Sequence, residues 1–176
     1  MKTATFMMGG IASGKTTVRD ALISEFVPKL DADEFKRAHP DFDPNNCTLE
    51  VHRHSMRRLA EAFAVAVESE TESFAMDGTG ISVERMLSQM DQARMNGFRI
   101  RLICVLTPQA DCLSRNAARD RTVDPDVIRS KNPLVPFALE AVAPFADVTV
   151  VVDNAGPTWA VMGGVPELNK TKEMVA

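Results

Sequence analysis

Residues 9–16 read Gly-Gly-Ile-Ala-Ser-Gly-Lys-Thr, and this Gly-x-x-x-x-Gly-Lys-[Ser/Thr] spacing dictates what must lie on either side of it. A phosphate-binding loop works only between a strand and a helix N-terminus. Ala4-Thr5-Phe6-Met7-Met8 is apolar enough for a buried strand, and Thr17-Val18-Arg19-Asp20-Ala21-Leu22-Ile23 continues a helix opening at Lys15. Glycine lets the main chain curl so that successive N–H groups face inward, where the positive end of the helix dipole adds to them. The residues from Gly10 to Thr17 (Gly10, Ile11, Ala12, Ser13, Gly14, Lys15, Thr16 and Thr17) are therefore expected to surround the phosphates of ATP. Lys15 would reach the β- and γ-phosphates, and the Thr16 hydroxyl would ligate Mg2+. A glycine-rich surface turn is the competing explanation, but four fixed positions match by accident in roughly one chain of this length in two hundred.

The flanking sequence repeats the alternation of strand and helix. Pro28 is expected to stop the first helix near Phe26 or Val27. Lys29 to His39 reads as a short strand entering a short helix, and Pro40 to Cys47 is rich in turn formers. Thr48 is placed to cap a helix whose Met56, Leu59, Phe63 and Val67 recur every three or four residues. Ser73–Asp77 is a further strand, Ser82 a helix cap with Gly97 at the far end, and 100–106 a strand followed by Thr107-Pro108 as cap and first helical residue. Asp124-Pro125 and Asn132-Pro133 each mark a helix start, and Val148-Thr149-Val150-Val151-Val152 is a strand buried on both faces. The expected fold class is α/β, a three-layer phosphate-loop architecture with a parallel five-stranded sheet and helices on both faces. Residues 1–152 form this domain; residues 153–176, broken by Gly156-Pro157 and Gly163-Gly164, read as a C-terminal tail docked by Trp159.

The 176 residues suffice for one core, and 20 basic against 24 acidic side chains give a net charge of −4. No global positive field therefore draws the chain to nucleic acid or an anionic membrane. No apolar stretch approaches a membrane span, and the N-terminal apolar run ends in the phosphate loop rather than a secretory cleavage site. Cys47, Cys104 and Cys112 lack metal-like spacing and read as reduced thiols of a cytoplasmic protein, in the host cytoplasm if phage-encoded. His52 and His54 do not share a helical face, which argues against zinc.

In a parallel sheet ligands bind beyond the carboxyl ends of the strands. Those ends carry Asp31 and Asp33, Asp77, Thr107 and Asp153. Phosphoryl transfer to a hydroxyl calls for an aspartate that accepts its proton, and Asp33 is the candidate, with Asp31 or Asp33 alternatively capping the helix around Phe35. Asp77 ends a hydrophobic strand where a carboxylate reaches Mg2+ and the bound substrate; the competing reading is an Asp-Gly turn. Arg115, Arg119 and Arg121 cluster at the end of one helix, as a lid closing on ATP or as a solvated helix face. Lys36, Arg37, Arg53, Arg57 and Arg58 supply positive charge for a nucleic-acid acceptor.

Two families share these features. Asp31-Ala32-Asp33-Glu34-Phe35-Lys36-Arg37-Ala38-His39-Pro40-Asp41-Phe42-Asp43 after the phosphate loop, with Asp77-Gly78-Thr79 later, resembles the zeta-toxin phosphotransferases. Arg115-Asn116-Ala117-Ala118-Arg119 followed by Pro125-Asp126-Val127-Ile128-Arg129-Ser130 is similar to the lid of phage-type polynucleotide 5′-hydroxyl kinases, and the length suits phage kinases of hydroxymethylated pyrimidines in DNA. The likeness covers residues 1 to about 152. It implies a P-loop kinase in which Lys15 and Thr16 hold ATP and Mg2+, Asp33 is the general base, Lys36 binds acceptor, and Arg119 is the lid arginine. The polynucleotide kinases carry arginine at the place of Lys36. The resulting expectation is Mg-ATP-dependent transfer of a γ-phosphoryl group to a hydroxyl on DNA, with DNA as acceptor partner and no membrane. The alternatives are a zeta-toxin-like UDP-amino-sugar kinase, which would have an antidote partner, and a nucleotide-binding regulatory NTPase. Oligomeric state leaves no mark in the sequence.

Overall fold

Strand–helix alternation closes into a single six-stranded sheet in the computed structural model, which describes residues 1–44, 46–70, 72–119 and 122–163. In chain order the elements are β1 (Thr3–Gly9), α1 (Lys15–Leu22), β2 (Lys29–Leu30), α2 (Ala32–Arg37), α3 (Leu49–Glu68), β3 (Phe74–Asp77), α4 (Val83–Met95), β4 (Arg99–Leu106), α5 (Gln109–Ala117), α6 (Pro125–Lys131), α7 (Val135–Val142), β5 (Val148–Asp153) and β6 (Ala160–Gly163). The sheet order is β2-β3-β1-β4-β5-β6. Strands β1 to β5 pair in parallel, so five parallel strands stand where the sequence places them.

The sixth strand is not legible in the sequence. β6 pairs antiparallel with β5, Val152 facing Val161 and Asp153 facing Ala160. Part of the expected tail is therefore sheet edge, and Trp159 is half-buried against the core, as docking requires. Residues 164–176 lie outside the described residues.

Side chains alternate across β1 in the two-residue period of a strand buried on both faces. Ala4, Phe6 and Met8 enter one core with Leu59, Phe63, Phe74 and Val142, contributed by α3, β3 and α7. Met7 enters the other, with Val18 and Ile23 behind α1 and Val150 and Val152 from β5. Phe74 sits edge-to-face with Phe6, Phe63 and Phe98, at centroid distances of 6.4, 5.8 and 5.1 Å. α3 is capped as expected, the Thr48 hydroxyl accepting from Val51 N–H at 3.3 Å, and it buries Val51, Ser55, Leu59, Phe63 and Val67 at successive four-residue steps.

Three boundaries differ from the expectation. α1 ends at Leu22, a turn before Pro28, because Ile23 is extended and Ser24 starts a turn whose carbonyl accepts from Val27 N–H. Ser82 occupies the cap position of α4 without a side-chain bond. Thr107 does not cap α5, since its hydroxyl donates to the phosphate loop instead and Pro108 takes the cap position. Gly97, at φ +80, closes α4 in the left-handed conformation that favours glycine.

From β1 the chain crosses to β2 on one side of the sheet, and from the neighbouring β4 it crosses to β5 on the other. The loop after β1 therefore faces an open crevice, the position at which such sheets bind ligands.

Candidate functional site

The loop between β1 and α1 is held in a strained curl. Ala12 adopts φ +60 and Gly14 φ +84, both left-handed, and Ser13 N–H closes a turn onto the Gly10 carbonyl at 3.2 Å. A side chain at Gly14 would collide with the Asn154 carboxamide, which fixes glycine there on two counts. Lys15 Nζ folds over the loop and donates to the carbonyls of Gly9 and Gly10 at 3.1 and 2.8 Å. Thr16 and Thr17 are exposed at the opening of α1, where the first helical amides have no intrahelical partner.

The loop is braced from elements far away in sequence. The Ser13 carbonyl accepts from Thr107 Oγ1 at 2.9 Å, Asn154 Nδ2 at 2.7 Å and Arg115 Nη1 at 3.3 Å. Arg115 Nη2 also donates to the carbonyls of Asn154 and Gly156, at 2.8 and 3.1 Å. Its guanidinium thus ties α5 to the loop and to the segment after β5. Thr107, expected at a strand end as a helix cap, braces the loop instead, and Asn154, which the sequence did not single out, does the same; its place directly after a strand end was a usable signal.

The parallel register places the acids. Met7 pairs with Asp77 and Leu30 with Met76, so the ends of β1, β2 and β3 bring Asp31 and Asp77 beside the loop. Arg19, only 5% exposed, donates through Nη1 to Asp31 Oδ2 and Asp77 Oδ2, both at 3.3 Å. This buried arginine was not anticipated; a charged residue next to Val18 on α1 was its only trace. Burial pushes the Asp77 carboxyl up to about 6, against the pull of Lys15 and Arg19. Lys15 is lowered from the usual lysine value by burial, with Asp77 and Asp33 raising it and Arg119 lowering it, so these four side chains lie within electrostatic reach of one another.

The choice between Asp31 and Asp33 has a structural answer for the cap. Asp31 is the cap of α2, its Oδ1 accepting from Asp33 N–H at 2.8 Å while Oδ2 meets Arg19. Asp33 is half-exposed and its Oδ1 accepts from Lys36 Nζ at 2.8 Å. The pKa of His52 on α3 lies below the ordinary histidine value, through burial first, then Lys36 and Lys131, with Asp33 opposing and Arg85 adding to the depression. Lys36, Lys131, Arg85 and Asp33 therefore all lie within electrostatic reach of His52. Arg37, Arg53 and Arg57 are exposed, and Arg57 bonds His54 at 3.3 Å rather than the acids. Arg58 pairs with Glu61 and lies over the Phe35 ring. Arg119 follows the end of α5, its N–H donating to the Asn116 carbonyl at 3.3 Å, and Arg121 lies outside the described residues. Among the described residues no cluster of three or more His, Cys, Asp or Glu side chains could hold a metal ion by itself, and no helix is long and apolar enough to cross a membrane.

The loop fits a polyphosphate. Ser13 Oγ is buried and unpartnered at its centre, an orphan that a phosphate oxygen would satisfy. Asp77 and the Thr16 hydroxyl offer the few protein ligands that Mg2+ takes beside phosphate oxygens and water.

The sequence matches the zeta toxin family over residues 1–158. The chain belongs to the zeta toxin family. As a member it is a nucleotide-dependent phosphotransferase whose cofactors are ATP and Mg2+. Among curated proteins no sequence matches it. Solved structures share the fold. A chain of the PezAT chromosomal toxin–antitoxin system of Streptococcus pneumoniae superposes with a TM-score of 0.70 at 15% identity, covering 93% of this chain and 72% of that one. A chain of the AvrRxo1-ORF1:-ORF2 complex gives 0.71 at 15% identity, covering 100% and 64%. A putative kinase from Chloroflexus aurantiacus gives 0.61 at 21% identity, covering 89% and 90%.

Proposed function

We propose that this zeta toxin family member transfers the γ-phosphoryl group of ATP to a hydroxyl on a nucleoside-diphosphate amino-sugar, with Asp33 as the base that orients that hydroxyl. The observation that carries the reading is the placement of Asp33. It lies within electrostatic reach of Lys15 and is paired with Lys36, whereas the neighbouring Asp31 caps α2 and meets Arg19. A base within reach of the lysine that holds the phosphates is what in-line transfer to a hydroxyl requires.

When bound, ATP supplies the phosphoryl group and Mg2+ neutralises its charge. Lys15, already partly desolvated, stabilises charge on the phosphates, and Arg119 adds a second cation. Asp33 accepts the proton of the attacking hydroxyl at a carboxylate oxygen. Lys36 Nζ donates to that carboxylate at 2.8 Å and orients it. Asp77 and the Thr16 hydroxyl are the metal-facing pair. Lys36, Lys131 and Arg85 lie within electrostatic reach of His52 and supply positive charge for the diphosphate of such an acceptor.

A second reading keeps DNA as the acceptor, through a hydroxymethyl pyrimidine or a 5′-hydroxyl end. The exposed arginines Arg37, Arg53 and Arg57 on α2 and α3 favour it. By analogy with toxin–antitoxin relatives, a proteinaceous antidote is the partner under the first reading.

The test is transfer of labelled γ-phosphate to a UDP-amino-sugar, to hydroxymethyluracil-containing duplex DNA and to a 5′-hydroxyl oligonucleotide. Label on the sugar, insensitive to moderate salt, supports the first reading. Label on DNA, falling steeply with salt, supports the second. Phosphate release with no labelled acceptor would instead point to a regulatory NTPase.

A further inference from the structure

Asn132 lies 121 positions from Ile11 yet pairs with it at both ends of its carboxamide. The Ile11 N–H donates to Oδ1 at 2.8 Å, and Nδ2 donates to the Ile11 carbonyl at 3.1 Å. A side-chain amide bonded in this way imitates a neighbouring strand and fixes the plane of the main chain it grips. The next residue, Ala12, is the one non-glycine among the described residues with positive φ, at +60. That conformation is unfavourable for an L-residue and persists only where its surroundings hold it.

Two further observations place the grip at the heart of the loop. A Cβ at Gly10 would come within 2.6 Å of both Cγ and Nδ2 of Asn132, although the Gly10 backbone is not left-handed. Glycine at this position makes room for the carboxamide. In addition, Ala12 and Ile11 pack with Cys112 of α5 and Ile128 of α6 in a small separate core, and Asn132 directly follows the last residue of α6.

We propose that Asn132 is a positioning residue for ATP: its carboxamide locks the Ile11 main chain, holds the phosphate loop in its inward-facing curl, and sets the register of α6 on that loop. Gly10 is its steric counterpart. The Ile11 N–H, expected from the sequence to face phosphate, consequently faces Asn132, and Ser13 N–H is turned to the Gly10 carbonyl. The proposal rests on the reading of residues 9–16 as the ATP phosphate loop, and it extends that reading to a residue outside the motif.

Equilibrium titration of ATP in the presence of Mg2+ tests this without knowledge of the acceptor. Wild type, Asn132→Ala, Gly10→Ala and the double variant are compared, with thermal unfolding of each. Loss of two neutral hydrogen bonds is expected to weaken ATP binding about tenfold to thirtyfold in Asn132→Ala. Gly10→Ala, by displacing the carboxamide, is expected to do the same, and the double variant to bind within about threefold of Asn132→Ala, since sites that share one interaction are not additive. Wild-type affinity in Asn132→Ala, or a double variant weakened by the product of the two single effects, overturns the proposal. Should Asn132→Ala fail to fold, the near-isosteric Asn132→Asp, which keeps the acceptor for Ile11 N–H and loses the donor, carries the test together with Gly10→Ala. Both should then bind ATP at least threefold more weakly, and wild-type affinity in either refutes the idea. Absence of ATP binding by the wild type would refute the phosphate-loop reading itself, and this inference with it.

Discussion

Asp77→Asn is expected to make the nucleotide-free protein more stable while removing its activity. The Asp77 side chain is 8% exposed, and burial raises its carboxyl from 3.8 to about 6. A carboxyl raised in the folded state favours folding only while it stays protonated. Its penalty is absent below about pH 3.8, grows as pH rises through the interval to about 6, and is constant above it. That displacement corresponds to about 3 kcal/mol at pH 8 and about half as much at pH 5. Replacing the carboxylate by an amide of the same shape relieves this penalty, which is already net of the pull of Lys15 and Arg19, while the burial of the amide itself takes part of the gain back. The net gain at pH 8 is therefore about 1 to 2 kcal/mol, or about 3–6 °C in melting temperature for a chain of this size. Urea unfolding of wild type and variant without nucleotide and with a divalent chelator, at pH 8 and pH 5, measures it. The gain should shrink at the lower pH, and Mg-ATP-dependent transfer should fall by at least a hundredfold. A variant less stable than wild type at pH 8, or a gain that does not change with pH, would refute the reasoning.

Further outcomes follow from the same geometry. Arg19→Met removes the buried cation that Asp31 and Asp77 share and leaves Asp77 only the pull of Lys15, so it should destabilise the fold by about 3 kcal/mol or more at pH 8, measured by urea unfolding. Gly14→Ala meets both a left-handed backbone and the Asn154 carboxamide, so it should lose about 1–3 kcal/mol of stability and most ATP affinity, read by unfolding and by titration. Arg119→Ala should reduce kcat about a hundredfold or more with a smaller change in ATP affinity, separated by steady-state kinetics against direct binding.

The parts of the site legible in the sequence are those fixed by local spacing. Gly9 to Thr16 announces its strand and helix, Thr48 announces α3, and Asp33 and Asp77 follow from the rule that strand ends carry chemistry. What remained hidden depends on contacts far apart in the chain. Asn132, Asn154 and Thr107 reach the loop across 121, 141 and 94 positions, and each reads locally as a cap or turn residue. Arg19 looks like an ordinary helix-surface arginine until the register of β2 and β3 delivers two carboxylates to it. β6 has no β-branched run and ends at Gly163; its pairing is imposed by the open edge of β5, so no local propensity marks it. The short end of α1 likewise reflects Ser24 turn chemistry, a weaker local signal than the helix-breaking Pro28 that follows it.

Asp33→Asn offers the most direct measurement. Single-turnover transfer of labelled γ-phosphate to the acceptor used by the wild type is followed alongside the equilibrium affinity for Mg-ATP. The expected result is a transfer rate at least a hundredfold lower with ATP affinity within about threefold of wild type, because the amide keeps the shape and loses the proton acceptor. Transfer at the wild-type rate would show that Asp33 is not the base and that this arrangement around Lys15 does not carry the chemistry assigned to it.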